Sequence, residues 1–380
     1  MCGTSVGAGM LALPVVSAQG GFFPALFVFF LCYLFMMSTG LLLSEICLKM
    51  PKDSNIISMA DHYFGKKGKV FAWTLYLFLF YLLSTAYLSG SGEILKDATS
   101  GLLSLSQGSI LFCITGALIV FCGANLVDRL NIFLMLGLIA TYLLFVFIGL
   151  PLVSVDKLFY QQFPKAFLAL PIIFTSFSYQ GIVPSLTYYM GKDAKRIRLS
   201  IVLGSTLTFF IYVFFELLIF GIVPIEKLIV AKTAVSPLGT IVKGGNIHTI
   251  TQFFSFFAIS TSFLGVSLGL FDFFADGLKI KKKGAKKLLI AFITFLPPLL
   301  ITLTRPGLFL IALNYAGGIG CALLLGLLPV LMVYSHRYIK KEDPFSPQLS
   351  GGKITLYALF LFVFFELIVQ GIGEFIRFSN

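Results

Sequence analysis

Charge is what this 380-residue chain has least of: Asp, Glu, Lys and Arg together make up 12% of it, against roughly 25% in an ordinary soluble domain. With 58% hydrophobic and 16% aromatic residues, too little polar surface exists to solvate a core, and the chain reads as an all-helical protein crossing a membrane many times. Histidine is scarce, and His62, His248 and His336 stand far apart. The six cysteines (Cys2, Cys32, Cys47, Cys113, Cys122 and Cys321) show no paired spacing, which argues against a disulfide framework or a metal site; they read as packing residues. No phosphate loop, metalloprotease helix or nucleophile elbow is present, so no cofactor is implied. The start of the sequence shows no basic leader with a cleavage signature, and no cleaved signal peptide is expected. The formal charge of +12 does not imply nucleic acid, because its placement follows the loops of a membrane protein.

What is present is apolar sequence in span-length runs. They place eleven transmembrane helices at about 1–19, 20–48, 70–95, 108–124, 130–151, 164–190, 199–223, 249–278, 286–304, 307–335 and 354–376. The loops after the even-numbered spans hold 20 of the 28 Lys and Arg residues. The positive-inside rule then puts the N-terminus in the cytoplasm and the C-terminus outside, in the lipid bilayer of the cell's inner (plasma) membrane.

Two of these spans are interrupted. Gly3-Thr4-Ser5-Val6-Gly7-Ala8-Gly9 runs on to Pro14, and half a chain later Phe174-Thr175-Ser176-Phe177-Ser178-Tyr179-Gln180-Gly181 runs on to Pro184. Non-helical backbone inside hydrocarbon leaves amides and carbonyls unpaired at several kcal/mol each, and survives only where it lines a cavity. The freed groups suit a zwitterion, with half-helix N-termini for a carboxylate and carbonyls for an ammonium. In the expected topology spans 1 and 6 enter from opposite sides. Residues 1–151 are therefore expected to form one five-helix repeat, 164–335 a second, inverted one, and 354–376 an additional helix.

Gly7-Ala8-Gly9-Met10-Leu11-Ala12-Leu13-Pro14, Phe174-Thr175-Ser176-Phe177 with Gly181 and Pro184-Ser185, and Ser262-Phe263-Leu264-Gly265-Val266 with Leu268-Gly269-Leu270-Phe271-Asp272 closely resemble the hydroxy and aromatic amino acid permease family. Among its branches, the resemblance is nearest to tyrosine-specific transport proteins. It implies the five-plus-five inverted-repeat fold of the amino acid, polyamine and organocation transporters, with broken helices 1 and 6. It also implies proton-coupled uptake of an aromatic amino acid, with tyrosine first and tryptophan or serine/threonine, by proton or sodium coupling, as the alternative. The family's helix 1 has a longer cytoplasmic half before its first glycine, so helix 1 is expected to be truncated here. Gln180 stands where close relatives would carry histidine.

The residues assigned to the substrate backbone are Thr4, Ser5, Gly7 and Gly9 on helix 1 and Thr175, Ser176, Ser178 and Gly181 on helix 6. Phe177, Tyr179 and Gln180, with Tyr81 and Tyr87 of span 3 facing the same centre, are the side-chain candidates, since a buried phenol needs aromatic walls and a polar partner. For the coupling ion, Ser260, Thr261 and Ser262 correspond in position to hydroxyls of a sodium site in relatives of this fold. The intramembrane acids Glu45 and Glu216, with Glu93 and Glu366 beside them, are proton candidates. No lysine sits mid-span. Asp272 and Asp276, four apart on one helical face, offer one reading of a different class, a lipid-diphosphate transferase, weighed against two carboxylates that simply face the lysine-rich loop from Lys279 to Lys287.

Overall fold

The computed structural model describes residues 5–379 apart from 52–53, 232, 235–236, 239–245, 281 and 341–347. Among the described residues every regular element is a helix. Helix α1 is a broken pair, a 3₁₀ turn at Ala8–Leu11 and a short α-helix at Leu13–Ser17. It is followed by α2 (Phe22–Lys49), α3 (Ile56–Ala98), α4 (Leu105–Cys122) and α5 (Ala124–Gly149). Helix α6 is again a pair, Leu170–Ser176 and Val183–Tyr189. Then come α7 (Ala194–Ile222), α8 (Asn246–Gly277), α9 (Gly284–Thr304), α10 (Phe309–Ile339) and α11 (Gly352–Ser379). Among the described residues ten helices are long and apolar enough to cross a membrane, and the short apolar segment Ala8–Ser17 stands where the first of the eleven expected spans was placed.

Both breaks fall where glycine, hydroxyl and proline were read. Three of the four helical pieces around them carry proline in the first turn: Pro14 in Leu13–Ser17, Pro171 in Leu170–Ser176 and Pro184 in Val183–Tyr189. There its missing amide costs nothing and its fixed φ suits the helix. Between the two pieces of α6, Phe177, Ser178 and Tyr179 leave the helix before Gln180–Ile182 resumes as a 3₁₀ turn.

The basic stretch after α2 differs from the loop expected there. Asn55 caps a helix by accepting from the Ile57 and Ser58 amides, and α3 therefore begins before the span itself. Gly65, at φ +65° and ψ −160°, is non-helical and turns the short first part away from the rest; glycine takes this conformation without the penalty of a Cβ.

Helix α7 runs along α2, while α8 runs along α3 and α5. Helix α10 lies against α6, α3 and α2, and α11 lies on α10 while also touching α6 and α2. Helix α10 is π-helical over Ala316–Leu327 and Ser335–Ile339, a geometry usually confined to single turns. Its glycines explain how close it comes to its neighbours. A Cβ on Gly317 would lie 1.6 Å from the Pro171 carbonyl oxygen, and one on Gly318 would lie 2.2 Å from Gln370 Oε1. Small residues let helix backbones meet in a bilayer, where apolar burial supplies little drive. Helix α11 buries Leu359, Val363, Glu366, Val369 and Gln370 and turns Leu361, Phe364, Ile368 and Phe375 outward, an apolar outer face suited to lipid.

Candidate functional site

The two breaks meet at the centre of the molecule. Gly9 of α1 is in contact with Ser176 of α6: a Cβ on the glycine would lie 2.8 Å from Ser176 Oγ and 3.1 Å from its Cα. On the other side of α1, the Ala8 amide donates to Ser262 Oγ of α8 at 3.1 Å, and a Cβ on Gly7 would lie 2.2 Å from that oxygen. Glycine at 7 and 9 thus lets α1 pass between α6 and α8. Thr4 lies outside the described residues.

A residue that the sequence reading did not select joins the breaks. The Tyr212 hydroxyl of α7 lies 2.6 Å from the Ser5 carbonyl oxygen and 2.7 Å from the Ser176 carbonyl oxygen. A phenol carries one proton, so it donates to one of these carbonyls at a time. Three oxygens from α1, α6 and α7 converge there, and a donor with several protons, such as an ammonium, would satisfy both carbonyls together. The signal was a hydroxyl in the middle of the apolar run Phe209-Phe210-Ile211-Tyr212, since a buried phenol takes a polar partner.

The hydroxyls of the α6 break donate to main-chain carbonyls, one on α10 and two on α6 itself. Thr175 Oγ1 donates to the Leu313 carbonyl of α10 at 2.9 Å, Ser176 Oγ to Ile172 O at 2.9 Å, and Ser178 Oγ to Thr175 O at 2.7 Å. The Phe177 ring packs edge-on against Tyr212, with centroids 4.8 Å apart, and against Phe29 at 6.1 Å. Tyr179 and Gln180 turn toward α2. The Tyr179 hydroxyl donates to Met36 O at 3.1 Å, and Gln180 Nε2 donates to Thr39 Oγ1 at 2.9 Å while its Oε1 accepts from the Tyr179 amide. Gly181 has open space on its Cα.

Tyr87 reaches the centre, with its hydroxyl against Ser262 and its ring side near Cys321. Tyr81 does not. Its hydroxyl donates to the Ile293 carbonyl of α9 at 2.7 Å, because six residues of helix turn it well away from the face of Tyr87. Cys321 sits between layers, with its thiol against Thr175 and Ser178 of the α6 break and near Glu366 of α11. No feature of its sequence spacing set it apart.

Of the three α8 hydroxyls only Ser262 meets α1. Thr261 Oγ1 donates to Ala258 O at 3.1 Å, and Ser260 Oγ is buried without a partner. The acids divide in a similar way. Glu45 is taken up by Arg337 of α10, which donates from Nε at 2.7 Å and from a terminal nitrogen at 2.6 Å. Glu216 is fully buried with Ser17 as its polar neighbour, and among the described residues no group stands in hydrogen-bond geometry to its oxygens or to those of Glu366. Asp272 pairs with Lys282 at 2.8 Å on the exposed surface, and no cluster of metal-ligating side chains occurs among the described residues. Asp272 therefore faces the lysine-rich loop.

The family profile described as tryptophan/tyrosine permease family matches residues 1–370. A tyrosine-specific transport system 1 of Haemophilus influenzae is 32% identical over 94% of this chain and 91% of its own length. The tryptophan-specific transport protein of the same organism is 29% identical over 100% of this chain and 96% of its own. In three dimensions the chain resembles MhsT, solved in complex with L-phenylalanine, with a TM-score of 0.68 at 16% identity over 98% of this chain and 96% of that one. It also resembles Mhp1, a nucleobase-cation-symport-1 family transporter, with a TM-score of 0.63 at 16% identity over 98% and 89%. The fold is that of these inverted-repeat transporters, and the chain belongs to the tryptophan/tyrosine permease family. Its relatives are transport proteins, so the enzyme reading falls.

Proposed function

We propose that this member of the tryptophan/tyrosine permease family imports an aromatic amino acid, tyrosine first, by proton symport with alternating access across the cell's inner membrane. The observation that carries the reading is the meeting of two main-chain carbonyls, Ser5 O and Ser176 O, at the single phenol of Tyr212. An amino acid's ammonium would displace that phenol and donate to both carbonyls, while Thr175, Ser176, Ser178 and the amides of the α1 break face its carboxylate. Phe177 and Tyr87 flank the same point and would form walls for the ring, with a polar partner for a phenol supplied by the hydroxyls around Ser262. In this reading the N-terminus is cytoplasmic and the C-terminus outside, residues 1–151 and 164–335 are the two repeats, and α11 is the added helix.

Uptake of labelled tyrosine into proteoliposomes tests it. The expected result is saturable accumulation driven by an inward proton gradient, indifferent to a sodium gradient, and inhibited by unlabelled tyrosine more strongly than by tryptophan, phenylalanine or serine. Accumulation driven by sodium alone would replace the coupling ion and return Ser260, Thr261 and Ser262 to the first rank. Preference for tryptophan would move the substrate within the aromatic class.

A further inference from the structure

We propose that Glu366, on the helix added beyond the two repeats, is the site that binds and releases the coupling proton. This rests on the proton-symport reading above and names its carrier. Glu366 stands at the middle of the buried face of α11, one turn from Phe362 on one side and Gln370 on the other. Phe362 packs on Phe35 of α2 at 5.0 Å and on Phe174 of α6 at 5.9 Å. Gln370 Oε1 accepts from Asn314 of α10 at 3.0 Å. Between these fixed points the Glu366 side chain is fully buried, and among the described residues neither oxygen has a hydrogen-bond partner. Polar groups at membrane depth normally find partners, since an unpaired one is costly in hydrocarbon. A carboxyl group left without donors is relieved of its charge by a proton and recovers donors only when water enters.

Among the described residues, the elements packed on α11 bring no counter-charge to Glu366. Helix α2 presents the Cys32 thiol and α10 presents the Cys321 thiol to Glu366. The α6 segment packed on α11 contributes Phe174 and its neighbours Pro171, Ile172 and Ile173, none of them ionisable. On α11 itself the nearest charges, Glu374 and Arg377, are paired with each other at 3.0 Å two turns away. Charge at Glu366 is therefore set by its own proton alone.

The second half of the argument is the path to the substrate centre. Cys321 touches Thr175 and Ser178 at the α6 break on one side and neighbours Glu366 on the other, and Tyr87 faces it from α3. Movement of α6 against α10 as substrate enters thus changes the packing around Glu366 directly. Glu216, on α7 beside Ser17 of α1 and one turn from the Tyr212 that bonds Ser176 O, is the competing acid, and the test below separates the two.

The test separates substrate exchange, which needs no net proton movement, from accumulation, which does. Wild-type protein and the variants Glu366→Gln and Glu216→Gln are reconstituted, and two rates of labelled tyrosine are measured: counterflow against internal tyrosine, and uptake driven by a pH gradient. The expected result is counterflow in Glu366→Gln within threefold of wild type, with gradient-driven accumulation reduced at least tenfold, while Glu216→Gln accumulates within threefold of wild type. Accumulation retained by Glu366→Gln overturns the assignment, as does its loss in Glu216→Gln alone. If wild-type uptake ignores the pH gradient, the symport reading itself fails, and the carrier with it. Should Glu366→Gln not yield folded protein, labelling of the wild type with a hydrophobic carbodiimide, read by peptide mass spectrometry, decides instead. Glu366 is expected to label, and saturating tyrosine is expected to change its rate at least threefold. No labelling there, or labelling indifferent to tyrosine, refutes the proposal.

Discussion

Replacing Glu45 by Gln should release one end of the molecule. The carboxylate sits at the far end of α2 from the α1 break and is 2% exposed, and the guanidinium of Arg337 is 14% exposed. Two parallel hydrogen bonds of 2.7 and 2.6 Å join them. Glu45 Oε2 also accepts from the Gln348 amide at 3.0 Å, and Arg337 donates onward to the Leu349 carbonyl at 3.2 Å. The pair therefore ties α2 to α10 and both to the segment leading into α11. Removing one partner of a buried pair leaves the other charge uncompensated and costs about 3–5 kcal/mol. Cys47, two residues along α2 and 1% exposed, reports whether that end opens. If its alkylation passes through local opening, 3–5 kcal/mol corresponds to a rate increase of about 10² to 10³ or more. The assay is maleimide labelling of purified protein followed by mass spectrometry at Cys47, with Glu45→Gln, Arg337→Gln and the double variant completing a cycle. Coupling of about 1.5 kcal/mol or more is expected for a close charge pair. A Cys47 rate unchanged in Glu45→Gln, together with coupling below about 0.5 kcal/mol, would refute the latch.

Tyr212→Phe leaves the Ser5 and Ser176 carbonyls without their phenol in the substrate-free protein, a loss of about 1–3 kcal/mol, and because the ammonium then has no phenol to displace, tyrosine affinity is expected to rise by up to about 5- to 150-fold; affinity at the wild-type level or below would show that the bridge is incidental. Ser262→Ala removes the acceptor of the Ala8 amide, and tyrosine uptake kcat/KM is expected to fall about 3- to 30-fold because that donor is orphaned. Gly317→Ala places a Cβ 1.6 Å from the Pro171 carbonyl oxygen and should lower the melting temperature in detergent, since overpacking costs about 1–3 kcal/mol. Gly371→Ala, with nothing within 4 Å of its Cα substituent, serves as the control and should melt with wild type.

Much of the fold was legible because the bilayer imposes its own grammar. Span-length apolar runs gave the order of the helices, ten of the eleven expected spans being long enough among the described residues and the first a short broken segment, and the two Gly-and-Pro interruptions located the breaks of α1 and α6, since non-helical backbone at membrane depth is tolerated where it lines a cavity. The site was legible along each strand of sequence but not across it. Ser5, Gly9 and Ser176 were readable as broken-helix residues. That Tyr212 reaches both carbonyls depends on the rotation of α7, which a nearly uniform run of Phe, Ile and Leu does not encode through amphipathicity. The same blindness placed Tyr81 beside Tyr87. Glu45 was readable as an intramembrane acid near a span end, but its partner lies 292 residues away in a stretch read only as a basic loop.

The scarcity of charge gives these placements their weight. Among the buried glutamates Glu45 is spoken for by Arg337, and a fixed pair of that kind can hold two helices together without exchanging protons. What remains near the α6 break is a set of neutral groups: carbonyls, hydroxyls, the Cys321 thiol and the phenols of Tyr87 and Tyr212. Under the proposed function such a centre binds the zwitterion without altering its own charge, so the coupled proton must reside outside the first ring of contacts. Helix α11 supplies that position, pressed on α2, α6 and α10 at once. On that proposal α11 has a physical reason to carry, on its buried face, an acid with no partner among the described residues.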